Sequence, residues 1–403
     1  MREYAPYNLL SPEILANPHP TYHQMRAESP VCYLFDAEQK TPVWLLTRYD
    51  DCAEFLKDNS NFYKDFARHN QSDDTDPVRS SAAVINRHML TVDPPDHTRL
   101  RAIVHKAFTP RMIESLGPRI QQIADDLLAK MAETDEADLI MSYAFPLPVT
   151  VIAELLGIPP EDRDRFRNWS QTIIFNSLRG EDLEAVGVAV LEFIMYFHTM
   201  FEERRAHPGD DLITGLLAAE EAGDKLDQQE LISMIFLLLV AGHETTVNLI
   251  GNGTLALMQN PDQMTKLREN PALIRPAVEE MLRYGSPVGQ TSMRWAVRDL
   301  DLHGASIKEG DLVVAALIAA NRDPAEFADP DRFDITRTPN RHMAFGNGIH
   351  YCLGAPLARL EGAIATQALL QRFPRLQLAV PEDTLEWTPS LLLHGLRALP
   401  VRY

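Results

Sequence analysis

Cysteine is scarce in this chain: three in 403 residues, Cys32, Cys52 and Cys352, an odd number with no Cys-x-x-Cys pair. That excludes a disulfide framework and a thiolate zinc cage and fits a reducing cytoplasm. Cations are also short, Lys+Arg 38 against Asp+Glu 57 for a net charge of -19, which argues against nucleic acid or anionic lipid as a partner. No apolar run approaches the ~18 residues of a membrane span. The strongest, 232–242, is interrupted by Ser233 and reads as a buried helix. Residues 1–20 carry Arg2, Glu3 and Glu13 among prolines, without the apolar core of a secretion signal, so neither targeting nor membrane anchoring is expected. No segment repeats and no low-complexity tract or Gly/Ser linker divides the chain, so solenoids are excluded and a single domain over 1–403 is expected.

What is present is ordinary globular chemistry, 45% apolar and 24% charged residues, enough for a sizeable core. Apolar residues at three-to-four spacing predict helices over 118–132, 160–176, 183–207, 211–221, 227–260 and 272–284, whereas strand-like stretches are short, at 43–47, 300–307, 312–316 and 396–401. The expected fold class is mainly α with a minor β region. The helix from Asp227 is the most informative, with Glu230 three residues on as a cap signal and Asn260-Pro261 as a stop. About thirty residues of helix run ~45 Å, enough to cross a domain. Its first half is apolar, yet Gly242, His243, Glu244, Thr245 and Thr246 interrupt it. Polar groups buried without partners cost several kcal/mol, so such a break marks a site.

Two common motifs fail here. His243-Glu244 begins like a zinc-protease helix, but Val247 stands where the second histidine is needed. Gly346-Asn347-Gly348 begins a dinucleotide fingerprint, but Tyr351 takes the third glycine position. The order Phe345, Gly346, Gly348, His350, Cys352, Gly354 instead resembles the cysteine haem loop of the cytochrome P450 family. Glycines on both sides of Cys352 let backbone N–H groups face a sulfur, and Pro356 starts a helix whose N-terminal end favours a thiolate. Cys32 and Cys52 lack that setting and read as buried, inert thiols. The resemblance covers roughly residues 85–375. Glu280 and Arg283 stand as the family's ExxR pair with Arg332 as its third member, and segments 320–324 and 357–361 fit the bacterial branch. Asp96 and His394 depart from it, where many relatives carry Glu and Arg, without touching the inferred chemistry.

The resemblance implies the cytochrome P450 fold, a single triangular domain with a long central helix, and haem b (iron protoporphyrin IX) as cofactor. It makes Cys352 the axial ligand of the iron and places Phe345 and Gly346 in the cofactor loop. Buried propionates need donors and positive charge. His97 and Arg101, four apart on a helix started by Pro94-Pro95, together with Arg294 and His350, match the family's propionate-binding positions. The stretch Ala241 to Thr246 resembles the oxygen-binding groove: Ala241 borders the cofactor, and Glu244 and Thr245 form the acid and alcohol that deliver protons for O–O cleavage. His243 reads as a packed structural histidine.

The implied activity is that of a soluble bacterial-type monooxygenase. It would activate O2 with electrons from a separate ferredoxin or flavodoxin and its reductase, and hydroxylate or epoxidise a hydrophobic small molecule. A cytoplasmic monomer is expected. A peroxide-driven enzyme of the same fold and a non-catalytic haem sensor are the alternatives, and neither needs Glu244 with Thr245. By the same resemblance the substrate pocket draws on 84–89, Phe175, Met195, Val240, Ala241, 288–293 and 391–393, mostly apolar, which suits a fatty acid, terpenoid, steroid or polyketide. Between residues 99 and 111 stand Arg99, Arg101, Lys106 and Arg111 with no acidic residue, a basic island expected to face an acidic ferredoxin.

Overall fold

The run Val43-Trp44-Leu45-Leu46 has no polar alternation because both of its faces are covered. Val31–Asp36 (β1) and Thr41–Leu46 (β2) pair antiparallel, Val31 opposite Leu46. Phe62–Tyr63 (β3), Arg294–Ala296 (β4) and Leu312–Ala315 (β5) complete a sheet in the order β1-β2-β5-β4-β3. β5 lies parallel to β2, with Trp44 opposite Val313, and antiparallel to β4, with Arg294 opposite Val313. Trp44 and Leu46 join Phe62, Val313 and Ala315 in one core. Val43 and Leu45 join Leu34, Trp295 and Val314 in another. Burial on two sides turns an alternating strand into a continuous apolar one. Helix Tyr49–Lys57 (α1) packs into the first core through Phe55 and Leu56.

The structure is a computed structural model that describes residues 4–36, 41–65, 85, 87–173, 182–221 and 226–403. It comprises two compact units: Met1–Tyr63, Gly117–Pro146 and Thr245–Tyr403, which hold the sheet, and Lys64–Leu116 with Leu147–Glu244. Two helices carry half of the expected site residues, α2 (Asp96–Ala107) and α3 (Gln228–Gln259); α4 (Ile274–Gly285) carries the ExxR pair and α5 (Ala355–Arg372) follows the cysteine loop. α2 belongs to the second unit, α4 and α5 to the first, and α3 runs through the division. Within the first unit Gly362 of α5 lies so near α3 that a Cβ there would stand 2.8 Å from Leu249.

α3 begins as its sequence dictates. The Glu230 N–H donates to Asp227 Oδ1 at 2.8 Å and the Asp227 N–H to Glu230 Oε2 at 3.0 Å, the reciprocal capping box. Its end precedes Pro261, which opens the next helix. By length and composition both α3 and the helical stretch Glu184–Ala206 could cross a membrane, but two-thirds of the apolar window of α3 is buried inside the protein, against one-third for the other. Buried Glu244, Asn248 and Asn252 mark α3 as a core helix.

Leu183–Ala206, Leu212–Glu221 and Gly117–Met131 match their predicted helices closely. The 160–176 helix is found as a short turn, Pro160–Asp162, and a helix, Arg163–Gln171; its end, including Phe175, lies outside the described residues, as does Val84. The single strand expected over 300–307 is a hairpin instead, Leu300–Leu302 with Ala305–Ile307. His303 and Gly304, at φ 52° and 82°, supply the two left-handed residues of a tight turn.

Candidate active site

The loop around Cys352 is closed by its backbone: the Cys352 N–H donates to the Phe345 carbonyl at 2.9 Å. Gly346 and Gly348 both sit at φ 70°, where a side chain is strained. Gly348 is constrained twice, since a Cβ there would lie 2.5 Å from the Leu56 carbonyl oxygen at the end of α1. After the turn Gly348–His350, Cys352 stands two residues before Gly354, which caps α5. Of the three cysteines only Cys352 is exposed. Burial pushes the Cys32 and Cys52 thiols up, the latter far, which makes them inert as nucleophiles and ligands. An accessible sulfur beside a helix N-terminus has the opposite tendency.

Among the described residues no three His, Cys, Asp or Glu side chains gather closely enough to hold a metal ion. The donor set fits a prosthetic group that brings its own nitrogen ligands and asks one sulfur of the protein, as haem does.

Arg294, on β4, is 2% exposed. Its Nη1 donates to the Phe55 carbonyl at 2.9 Å and its Nη2 to the Leu56 carbonyl at 3.2 Å, with the guanidinium 5.2 Å from the Phe55 ring centre. It therefore grips the helix end that Gly348 touches, tying sheet and cysteine loop to one anchor. His350 is half-buried two residues before Cys352. Phe345, Gly346, His350, Cys352, Arg294 and Thr245 all belong to the first unit. His97, Arg101, Ala241 and Glu244 belong to the second. On α2 the buried His97 and half-buried Arg101 stand one turn apart, on one helix face.

Along α3, Ala241 is exposed and Leu238, Gly242 and Thr245 are half-buried within a mostly buried helix. Steps of three and four place them on one face, so an accessible stripe of mainly small side chains passes the polar break, while Phe236 and Val240, also half-buried, lie on the other side. His243 points elsewhere: it is fully buried, its Nδ1–H donates to the Leu239 carbonyl at 2.8 Å, and burial pushes it down to about 4. It is the neutral structural histidine that the sequence suggests. Glu244 is 5% exposed.

Thr246 is buried and its hydroxyl donates to Glu361 of α5, a carboxyl that the sequence marks only as the end of the 357–361 segment. Burial pushes Glu361 up to about 8, with the Thr246 donation opposing. Between its ordinary value of 4.5 and about pH 8 the unfolded chain has lost this proton and the folded chain keeps it. Stability should therefore fall as pH rises through that window, by on the order of 1.4 kcal/mol per pH unit. Glu361→Gln should flatten the slope. Urea midpoints at pH 5 and pH 8 check this, and equal slopes for both proteins would refute it.

The ExxR pair is fully buried. Arg283 Nε and Nη2 each meet a Glu280 oxygen at 2.8 Å, and the remaining N–H groups reach the carbonyls of Asn321, Pro330 and Arg332. The expected third member is corrected. Arg332 offers only its carbonyl, because its N–H bonds back to the Asp329 carbonyl and the residue faces solvent. Arg337 instead donates to Glu280 from Nε at 3.2 Å. The basic island is corrected as well. Arg99 clasps the buried Glu230 with both Nη atoms, at 3.1 and 2.6 Å, and also meets Asp96, since Glu230 at the start of α3 requires a cation. Lys106 and Arg111 are the island's exposed cations.

The sequence pattern of the family Cytochrome P450 matches residues 165–399. The chain is 47% identical over 390 residues to the polyketide biosynthesis cytochrome P450 PksS of Bacillus subtilis (strain 168), spanning 96% of this chain and 95% of that one. It is 44% identical over 397 residues to the cytochrome P450 monooxygenase PikC of Streptomyces venezuelae, spanning 98% and 93%. The solved structure of PksS aligns with a TM-score of 0.91 over 98% of this chain and 99% of its own. That of P450BioI in complex with hexadec-9Z-enoic acid ligated acyl carrier protein aligns at 0.88, with 40% identity, over 98% and 100%.

Proposed function

The chain belongs to the cytochrome P450 family, and on that premise we propose which of its residues serve the reaction and what it acts on. It is a haem-dependent monooxygenase of hydrophobic small molecules that draws electrons from a redox partner. The whole chain, 1–403, is proposed as one catalytic domain. Bound haem supplies the iron at which dioxygen is activated. The accessibility of Cys352, in a loop closed by its own N–H, is the observation that carries the ligand assignment. Phe345 and Gly346 shape that loop, Ala241 borders the cofactor, and His97, Arg101, Arg294 and His350 meet the propionates with donors and positive charge.

Thr245 holds a proton at its hydroxyl on the accessible stripe of α3, and Glu244 replenishes it. A peroxide-driven enzyme would need neither, which favours the O2-dependent reading. Thr245→Ala should bind substrate nearly as well as the parent but release hydrogen peroxide, with product per NAD(P)H falling roughly tenfold or more. Unchanged coupling would remove Thr245 from the proton route.

For substrate we favour a polyketide-type or fatty-acyl compound, supported by the apolar candidate lining and the company of PksS and P450BioI. Spin-state titration of the haem protein with polyketide, fatty-acyl, terpenoid and steroid panels tests this, and a response confined to the last two would overturn it. The electron donor is taken to be an acidic ferredoxin in the cytoplasm, docking beside α2 at Lys106 and Arg111. Reversing both to Glu should slow first-electron transfer roughly tenfold, and the parent rate should fall with added salt. A salt-independent rate in both proteins would sink the docking assignment.

A further inference from the structure

Seven residues after Cys352, on the first turns of α5, Arg359 makes contacts that no step above requires. Its Nε and Nη2 meet the two oxygens of Glu279 on α4 at 2.6 and 2.9 Å. Its Nη1 reaches the Tyr351 hydroxyl at 3.2 Å. Its guanidinium carbon stands 4.4 Å from the centre of the Phe345 ring, within cation–π range. Phe345 and Tyr351 are the two aromatic residues of the cysteine loop: the carbonyl of the first accepts the Cys352 N–H, and the second adjoins Cys352 in sequence.

Glu279 is itself fixed. His342 accepts the Ala344 N–H at Nδ1 at 3.2 Å, so its proton lies on Nε2 and is donated to Glu279 at 3.0 Å. Arg359 and His342 hold the Glu279 carboxyl down at about 2, so it is an anion at any working pH. A fork held at both oxygens leaves a guanidinium little freedom to rotate. Its plane and its charge are therefore delivered to the loop in one orientation.

We propose that Arg359, pinned by Glu279, is a positioning residue for the cysteine loop: through Phe345 and Tyr351 it holds the loop's two aromatic residues and sets the electrostatic potential at the Cys352 sulfur. The proposal rests on Cys352 being the haem ligand. Persistence of the loop depends on the fork, whereas the potential depends on charge. Removing the cation leaves Glu279 as the nearer charge and disfavours the reduced iron. Neutralising Glu279 leaves the cation unopposed and favours it.

The test uses the haem-loaded protein with three variants, Arg359→Met, Arg359→Lys and Glu279→Gln, each read by its reduced carbon-monoxide spectrum and by the equilibrium constant for iron reduction. All three should give the thiolate band when fresh. Arg359→Met should lose it roughly tenfold faster than the parent on mild warming, and its reduction equilibrium should move toward the ferric form by about threefold to tenfold. Glu279→Gln should move that equilibrium the opposite way by about threefold. Arg359→Lys should restore the equilibrium but not the persistence of the band, separating charge from fork. A merely structural role predicts faster loss of the band with no opposed shifts, and that result overturns the proposal, as does parental behaviour of Arg359→Met on both readouts. If Arg359→Met does not fold, the sign of the Glu279→Gln shift decides alone. A parent protein without the thiolate band overturns the ligand assignment itself, and this proposal with it, so the two failures are distinguishable.

Discussion

Cys352→His is expected to abolish monooxygenation and the thiolate signature of the reduced carbon-monoxide spectrum while leaving the fold intact. The fold survives because the backbone N–H of Cys352, not its sulfur, closes the loop onto Phe345. Activity does not survive, because a neutral imidazole donates less electron density than a thiolate and so supports O–O cleavage poorly. The loss should exceed about 100-fold, more than changes in the outer shell of a metal site usually cost. Far-UV circular dichroism, the spectrum and single-turnover product analysis together check this. A variant with the parental spectrum would remove Cys352 from the axial role.

Arg283→Met should cost the folded state ~3–5 kcal/mol, a large share of the ~5–15 kcal/mol by which domains are stable. All five N–H groups of Arg283 are engaged, so its removal strips partners from three backbone carbonyls. It also leaves the fully buried Glu280 carboxylate with only Arg337, Asn340 and the Asp334 N–H. Leaving one charge of a buried pair behind is the costly case. Lysine at the same place keeps the charge but not the fork, and should recover only part of the loss. Urea unfolding of the three proteins measures the difference, and a parental midpoint for Arg283→Met would show that the network contributes nothing to stability.

Features set by near neighbours in sequence were legible from it. The Asp227 and Glu230 box, the Glu280 and Arg283 spacing, and the glycines around Cys352 are written within a few residues of one another. Cys32 and Cys52 could be set aside because free thiols without such a setting tend to be buried. Partners chosen across the chain were not legible. Nothing in the segment around Arg99 announces Glu230, 131 residues away, and nothing beside Arg294 announces the carbonyl of Phe55, 239 residues upstream. Arg332 and Arg337 differ only in which way the chain turns after Asp329, a matter of backbone geometry rather than residue type. The hairpin at His303-Gly304 was local and still missed, because apolar residues on either side of a two-residue turn imitate one continuous strand. Glu361 looked like any helical glutamate until its burial was known.

The anchor at the end of α1 has a consequence for the order of events during synthesis. Arg294 reaches the carbonyls of Phe55 and Leu56, and Gly348 rests against the latter, so the cysteine loop is seated on a helix made roughly 290 residues before it. At ~5–20 residues per second, the ribosome needs roughly 15–60 s to pass from Leu56 to Gly348. Throughout that interval the helix end waits with its carbonyls turned to water, and the sulfur that would receive the prosthetic group has not been made. Cofactor capture through this sulfur therefore cannot begin until the cysteine loop has been made, and the seat for that loop is ready long before it.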